Sequence, residues 1–473
     1  MLTMPHWHLL FLHAFTGVER LIIIYVAAIN TIYLLLMTLG YFAFRMQPGR
    51  LTRTESDTVL RSPLMPPISL LAPAYNERAS IRESVRAMLT LHYPRHEVIV
   101  VNDGSTDDTL QILIDEFHLY KSSREPSDAL ACAPIRAIYE SRSPIRLVVI
   151  DKENGHGKAD ALNAALNVAR TPLVAVLDAD SLIETDALLA IVKPFLDDPH
   201  TIATGGIIRV ANGCKVEHGR VVDVATPAQA LPRFQVVEYL RAFLHGRIAF
   251  SFINSVLLVS GAFGVFRREA LISAGGYDTT TVGEDMELVI RLHHVWRERR
   301  LPYRIVFVPY PVCWTQVPES WKALHDQRNR WQRGTVESLW RHRQMFCNPR
   351  FGVVGLVGFP YFVFFEAIGP LVEVAGYVTT VLGLLLHLIS MQLALAFLVV
   401  SVLFGMLLSV SAVLLEDITA RRYPSLRDIL SLMRAAVVEN LGFRQLLTIW
   451  RTEGLLDALR GKTGWGSMER RGF

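Results

Sequence analysis

Residues 21–44, LIIIYVAAINTIYLLLMTLGYFAF, contain no charged side chain. The run exceeds the roughly 20 residues needed to cross the hydrocarbon core of a bilayer, so it predicts a transmembrane helix. A cleaved signal peptide is the competing reading. The run is long for one, however, and Arg45 stands where a small-residue cleavage site belongs, which favours an uncleaved anchor. A second apolar stretch covers 351–415, broken by Glu366, Glu373 and His387. It is too long for one span. An interfacial or re-entrant segment near 351–364 and spans near 366–388 and 391–415 are predicted. The two glutamates are expected against protein or near the interface, because an unpaired carboxylate facing lipid is costly. Arg45, Arg50, Arg53 and Arg61 follow the first run, and Arg421, Arg422 and Arg427 follow the last. Positive flanks are cytoplasmic flanks. The expectation is a multi-pass protein of the cell (inner) membrane, with its N-terminus outside and its middle in the cytoplasm.

The 473 residues then divide into an N-terminal segment with its anchor (1–61), a cytoplasmic domain (62–350), an interfacial segment with about two spans (351–415) and a cytoplasmic amphipathic tail (416–473). In the tail, Arg434, Glu439 and Arg444 interrupt the apolar pattern, which suits a surface helix better than a fourth span. A net charge of +4 gives no case for nucleic acid. Four scattered cysteines read as free thiols, and the pair His293-His294 reads as a helix surface rather than a pair of metal ligands.

Within 68–211, short apolar runs alternate with helical stretches: ISLLAPA, EVIVV, RLVVID and LVAVLDAD each precede or follow a helix. That alternation predicts a parallel α/β sheet, whose ligands sit at the carboxyl ends of the strands. The polar residues fall there. APAYNE ends the first strand with Asn76, a candidate helix cap, and Glu77. VNDGSTDDT ends the second with Asp103, which no capping role explains and which can accept from a base N–H or a ribose hydroxyl. In DKENGHGKADAL, Lys158 opens a helix without P-loop spacing, so it suits a diphosphate or plain solvent. In LVAVLDADS, Asp178 and Asp180 lie two apart and, on an extended backbone, point the same way. Carboxylates converging like this call for a cation such as Mg²⁺ or Mn²⁺ shared with phosphate oxygens. Glu284-Asp285 precede an amphipathic helix. Finally, QRNRWQRG (327–334) puts Gln327, Arg330, Trp331 and Gly334 on one helical face, fit for lipid headgroups, for solvent, or for something both anionic and ring-shaped.

Together these residues resemble the family-2, processive, membrane-embedded inverting glycosyltransferases, the group of cellulose, chitin, hyaluronan and poly-N-acetylglucosamine synthases. The resemblance covers about 66–350 and the order of anchor, catalytic domain and C-terminal spans. The family pattern is an early Asp, a DxD, an E/T-D pair and Q-x-x-R-W. Here Asp103, Asp178 with Asp180, Glu284 with Asp285, and Gln327, Arg330 and Trp331 stand in that order. The resemblance implies an α/β, GT-A-type catalytic domain between an N-terminal anchor and C-terminal transmembrane helices. It implies that Glu77 and Asp103 contact the nucleoside of a nucleotide-sugar, with Lys158 nearby. Asp180, with Asp178 close by, would hold Mg²⁺ or Mn²⁺ on the diphosphate. Asp285, beside Glu284, would be the general base of a direct, inverting displacement. Gln327 and Arg330 would face acceptor and diphosphate, and Trp331 would stack on the acceptor sugar, leaving Arg328 and Arg333 for headgroups.

Three departures leave the product open. Asn102 stands where many relatives have Asp, Gly283 where cellulose synthases have Thr, and Gln316 where several relatives have Glu. No cyclic-dinucleotide domain of the PilZ type is expected after 415. The implied partners are a nucleotide-sugar donor, a UDP-sugar first, a polysaccharide or lipid-linked acceptor and membrane lipids. An export partner or second copy is also implied, since about three spans make a sparse channel. Single-sugar transfer to a lipid carrier and a non-catalytic membrane scaffold are the alternatives; the intact acids speak against the scaffold.

Overall fold

The computed structural model describes residues 6–46, 62, 64–142, 146–179, 181–217, 219–462 and 464. Asp180, Arg50, Arg53 and Arg61 therefore lie outside the described residues. The strands are β1 (Ile68–Ala74), β2 (His96–Asp103), β3 (Tyr120–Lys121), β4 (Ile135–Glu140), β5 (Leu147–Lys152), β6 (Leu173–Leu177), β7 (Leu182–Ile183), β8 (Thr201–Val210), β9 (Lys215–Glu217), β10 (Arg220–Asp223), β11 (Phe263–Arg267) and β12 (Arg304–Thr315). Among the described residues they form a ten-stranded sheet, β3-β4-β5-β2-β1-β6-β11-β8-β12-β7, and a two-stranded ribbon of β9 and β10.

The sheet is mixed, not parallel as expected. Its heart, β5-β2-β1-β6, is parallel, but β11 inserts between β6 and β8 antiparallel to both. A strand buried on both faces reads as a continuous apolar run in either direction, so FGVFR carries no mark of its polarity. Alternation along β1 and β2 sends Leu70 and Val100 to one face, with Val85 and Leu188, and Leu71 and Ile99 to the other, with Leu162 and Leu288. Helices thus cover both faces, and the carboxyl edge of the central strands stays free for polar loops.

Among the described residues, three helices are long and apolar enough to cross a membrane: His13–Met46, Val354–Leu385 and Met391–Thr419. The second runs from the predicted interfacial segment into the predicted span, with π-helical stretches at Val354–Gly358 and Phe362–Ala367 and a bend at Ile368. Its acids meet protein, as expected. Glu366 accepts from Arg451 at 3.0 Å and Tyr33 at 3.1 Å, and Glu373 from Tyr377 at 2.7 Å.

The tail holds one acid that the local pattern misplaces. It forms two helices, Leu426–Val438 and Phe443–Leu459, and both are packed inward. Glu439, which reads as an interruption of an apolar face, is fully buried between Arg241 at 2.5 Å and Ser409 at 2.6 Å. Its partners lie far away in sequence, so the local pattern mistakes a paired carboxylate for a solvated one. A second buried pair, Arg209 to Glu416 at 2.7 Å, ties β8 to the end of the last span.

His293 is not on a helix surface either. It is fully buried, with Nε2 2.8 Å from the Val256 carbonyl and Nδ1 2.7 Å from the Tyr303 hydroxyl. Burial pulls its pKa down to about 4. The folded protein therefore binds this proton less readily than the unfolded chain. Stability from His293 is complete above pH 6.5 and is lost as pH falls from there toward 4, by about 1.4 kcal/mol per unit. Thermal melts in detergent between pH 7.5 and 4.5 are expected to fall more steeply for the parent than for His293→Gln.

Candidate active site

The loops after β1 and β2 are zipped together. Asn76, at φ +54°, accepts from the Thr106 N–H at 2.8 Å, so it bridges loops rather than capping the next helix. The N–H of Glu77 donates to Thr109 Oγ1 at 2.9 Å, and that of Arg78 to Asp107 at 3.2 Å. Glu77 is buried, its carboxylate accepting from the Ser80 hydroxyl at 2.9 Å. Asp103, at the end of β2, accepts from Lys152 Nζ at 2.5 Å and the Gly155 N–H at 3.0 Å. Lys152 is fully buried and also meets Asp160 at 2.5 Å and the Glu153 carbonyl at 2.6 Å, so its three donors are all used. Sequence reading overlooked Lys152; a lysine closing an apolar strand, VVIDK, was its signal.

Lys158 sits elsewhere. Its ammonium contacts Asp178 and donates to the Gly261 carbonyl at 2.8 Å. The N–H of Gly261 donates in turn to Asp285 Oδ2 at 3.1 Å, while the Met286 N–H holds Oδ1 at 2.8 Å. One residue of the SGA turn therefore links Lys158 and Asp285. Burial works against the Lys158 ammonium, but Asp178, Glu284 and Asp285 outweigh it and hold its pKa above the usual range. Asp178 is not on an extended strand: β6 ends at Leu177, and the Ser181 N–H closes a turn onto the Asp178 carbonyl at 3.0 Å. Asp178 thus lies in the turn that follows β6, and Asp180 lies outside the described residues.

Glu284 and Asp285 open the helix Glu284–Glu298. Burial, with Asp285 beside it, pushes the Glu284 carboxyl well above the usual carboxylate range. Three acids crowd this space, and a cation among them would relieve the strain on Glu284. An all-oxygen set suits Mg²⁺ or Mn²⁺. Among the described residues no group of three His, Cys, Asp or Glu side chains could hold a metal by itself. An ion that keeps few protein ligands and takes its remaining oxygens from a diphosphate would fit such a site, with Asp178, which the Lys158 ammonium contacts here, as a candidate ligand.

QRNRW lies in the helix Trp321–Arg341, capped by Ser320, whose hydroxyl accepts from the Ala323 N–H. This helix meets the acids through two glycines: a methyl group on Gly283 would come within 2.7 Å of Gly334 Cα. That contact explains why a small residue stands before Glu284. Arg330 is buried, its charge opposed by burial and favoured by Glu284, Asp178 and Asp285. Trp331 is 39% exposed, with the Arg328 guanidinium 4.3 Å from its ring. Gln327 turns to Arg328, accepting at 2.5 Å.

The cations expected at headgroups are not available to them. Arg328 is buried and paired with Glu238 at 2.7 Å. Arg333 is buried and donates to the carbonyls of Lys462 at 3.0 Å and Gly464 at 2.9 Å. The structure thus gathers Lys158, Asp178, Glu284, Asp285 and Arg330, and keeps Glu77 and Asp103 in neighbouring loops. It adds one further cation. Arg247, in the helix Gly246–Phe252, lies 5.8 Å from the Phe307 ring; burial lowers its pKa to about 10 against the pull of Asp285. A lone arginine within RIAFSF gave no motif to find it by.

Residues 66–334 match the family model described as "Glycosyltransferase like family 2", and residues 279–443 match that described as "Chitin synthase". Poly-beta-1,6-N-acetyl-D-glucosamine synthase of Staphylococcus epidermidis is 28% identical over 312 residues, 66% of this chain and 64% of that protein. The Staphylococcus aureus (strain COL) protein of the same name is 29% identical over 276 residues, 58% of this chain and 56% of that one. The chain thus spans less than two thirds of the length of these curated relatives. Among solved structures, the mannosyltransferase PcManGT from Pyrobaculum calidifontis, in complex with GDP-Man and Mn2+, aligns with a TM-score of 0.51 at 20% identity, covering 89% of this chain and 99% of that chain. The first match extends over more than half of the chain, and the mixed sheet with its acids at the strand ends is the GT-A arrangement: the protein belongs to the family-2 glycosyltransferases.

Proposed function

We propose that the protein transfers a sugar, N-acetylglucosamine first among candidates, from its UDP-sugar to a growing polysaccharide at the membrane, with inversion. The observation that carries this reading is the connected set Asp285, Gly261, Lys158 and Asp178, with buried Glu284 and Arg330 in the electrostatic reach of its acids. It brings a fixed carboxylate and two cations to one place at the carboxyl edge of the sheet. The names of the poly-N-acetylglucosamine synthases support the donor and product class.

Asp285 is the base. Two backbone N–H groups fix its carboxylate, so it is oriented before the acceptor arrives and takes the hydroxyl proton as oxygen attacks the anomeric carbon. The sugar–phosphate bond breaks on the opposite side, which inverts that carbon. Negative charge then builds on the departing diphosphate, where Lys158 and Arg330 meet it. When bound, Mg²⁺ or Mn²⁺ at Asp178 and Asp180 would add Lewis-acid stabilisation to the same oxygens; Mn2+ accompanies the related PcManGT complex. Glu77 and Asp103 line the nucleoside end, and Trp331 offers its ring to the acceptor sugar.

The catalytic domain and the tail share one side of the membrane in this reading, because Phe443–Leu459 packs on Trp321–Arg341 while two candidate spans lie between them. Arg45, Arg421, Arg422 and Arg427 mark that side as cytoplasmic.

Membranes incubated with labelled UDP-N-acetylglucosamine and Mg²⁺ or Mn²⁺ test the proposal. A ladder of long chains is the expected product. A single lipid-linked sugar would favour transfer to a carrier, and no incorporation from any common UDP-sugar would sink the reading. Arg330→Ala is expected to lower kcat by roughly 10²–10³-fold, the scale of losing one charge-stabilising donor.

A further inference from the structure

The second candidate span is broken near 366–370. Pro370 has no N–H, so the Glu366 carbonyl four residues earlier lacks its helical donor. The N–H of Leu371 goes to Ile368 at 3.0 Å, which leaves the Ala367 carbonyl outside the ladder too. Buried carbonyls of this kind need donors from elsewhere.

The donors come from the helix that carries QRNRW. Gln332, which is 2% exposed, gives its Nε2 to the Glu366 carbonyl at 3.0 Å and the Ala367 carbonyl at 3.1 Å. Arg451, from the helix Phe443–Leu459, completes the knot. Its Nη2 donates to the Glu366 carbonyl at 2.8 Å and carboxylate at 3.0 Å, and its Nε to Gln332 Oε1 at 2.9 Å. Tyr33 of the first span holds the other carboxylate oxygen at 3.1 Å. The QRNRW helix is therefore gripped twice, by Gly283 against Gly334 and by the broken span at Gln332.

We propose that Gln332 is a positioning residue: with Arg451 it locks the QRNRW helix into the proline break of the second span and so sets Arg330 and Trp331 opposite Asp285 from the membrane side. The consequence for catalysis rests on the transferase reading above, whereas the lock itself does not.

Gln332→Leu keeps the volume and removes both donors and the acceptor. Hydrogen–deuterium exchange of the ligand-free protein in detergent is expected to quicken roughly tenfold in 325–336 and 362–372, with β1, β2 and β5 unchanged. Unchanged exchange in either segment, or faster exchange throughout the sheet, would overturn the lock. In sugar incorporation from UDP-N-acetylglucosamine, kcat is expected to fall by roughly 10- to 100-fold while KM for the donor moves less than about twofold. A parental kcat, or a loss carried by KM alone, would overturn the positioning role. Arg451→Lys keeps a cation beside Glu366 and guards against misfolding of the first variant; it should lie between parent and Gln332→Leu in both measurements, and parental values in both would count against the proposal. A parental protein that transfers no sugar would defeat the transferase reading, while the exchange experiment still judges Gln332.

Discussion

Replacing Asp285 by Asn is expected to lower kcat by roughly 10²–10⁴-fold, the contribution of a positioned general base. Besides the support its charge lends Lys158, Arg330 and Arg247, the carboxylate makes local hydrogen bonds. It accepts two backbone N–H groups, from Gly261 at 3.1 Å and Met286 at 2.8 Å, and an amide oxygen can keep one of them. The amide nitrogen would face the remaining N–H, a local cost that should leave the fold intact. Binding of UDP should change by less than about threefold, since one displaced base alters the transition state more than the ground state. Sugar incorporation at saturating donor, paired with UDP binding to the purified protein, distinguishes the two quantities. A kcat within a few-fold of the parent would remove Asp285 from the role of base.

The second large effect is expected from a single methyl group. In Gly334→Ala the added carbon would stand 2.7 Å from Gly283 Cα and 3.0 Å from its nitrogen. Backbone lies on both sides of the contact, so no side chain can swing away. The QRNRW helix must move off Gly283, which precedes the helix opened by Glu284 and Asp285, at a cost of about 1–3 kcal/mol for overpacking. Arg330 is one turn away, and a shift near 1 Å there should reduce kcat by about 10²-fold. Gly17→Ala, where nothing lies within 4 Å of the new methyl, is the control and should behave like the parent. Equal activity of Gly334→Ala and Gly17→Ala would show that the glycine contact does not set the site.

What could be read from the sequence was the chemistry written locally. Strand ends marked by Asp103, the acidic pair at the start of an amphipathic helix, the QRNRW helix and the charge-free runs all follow from spacing within a few residues. Local sequence misleads wherever a distant partner decides the outcome. Arg328 and Arg333 look solvated because Glu238 and the carbonyls of Lys462 and Gly464 are far off in the chain. Glu439 looks like a surface acid until Arg241 is folded against it. The direction of β11 is invisible because buried strands have no polar face. The sequence places Lys158 between diphosphate and solvent, since nothing nearby in it reveals that Gly261 joins the lysine to Asp285.

The backing of the QRNRW helix carries a consequence for how the enzyme is made. Asn329 donates to Asp457 at 3.0 Å and Gln332 is held by Arg451, yet both candidate spans separate these partners along the chain. In the membrane reading proposed above, a nascent chain can fold its sheet and gather its acids, but the helix that faces them has no back until the two candidate spans have entered the lipid and returned. In that reading, membrane insertion is a condition of seating the helix that carries Arg330. A catalytic domain stranded in the cytosol would have its acids in place and no firmly seated Arg330.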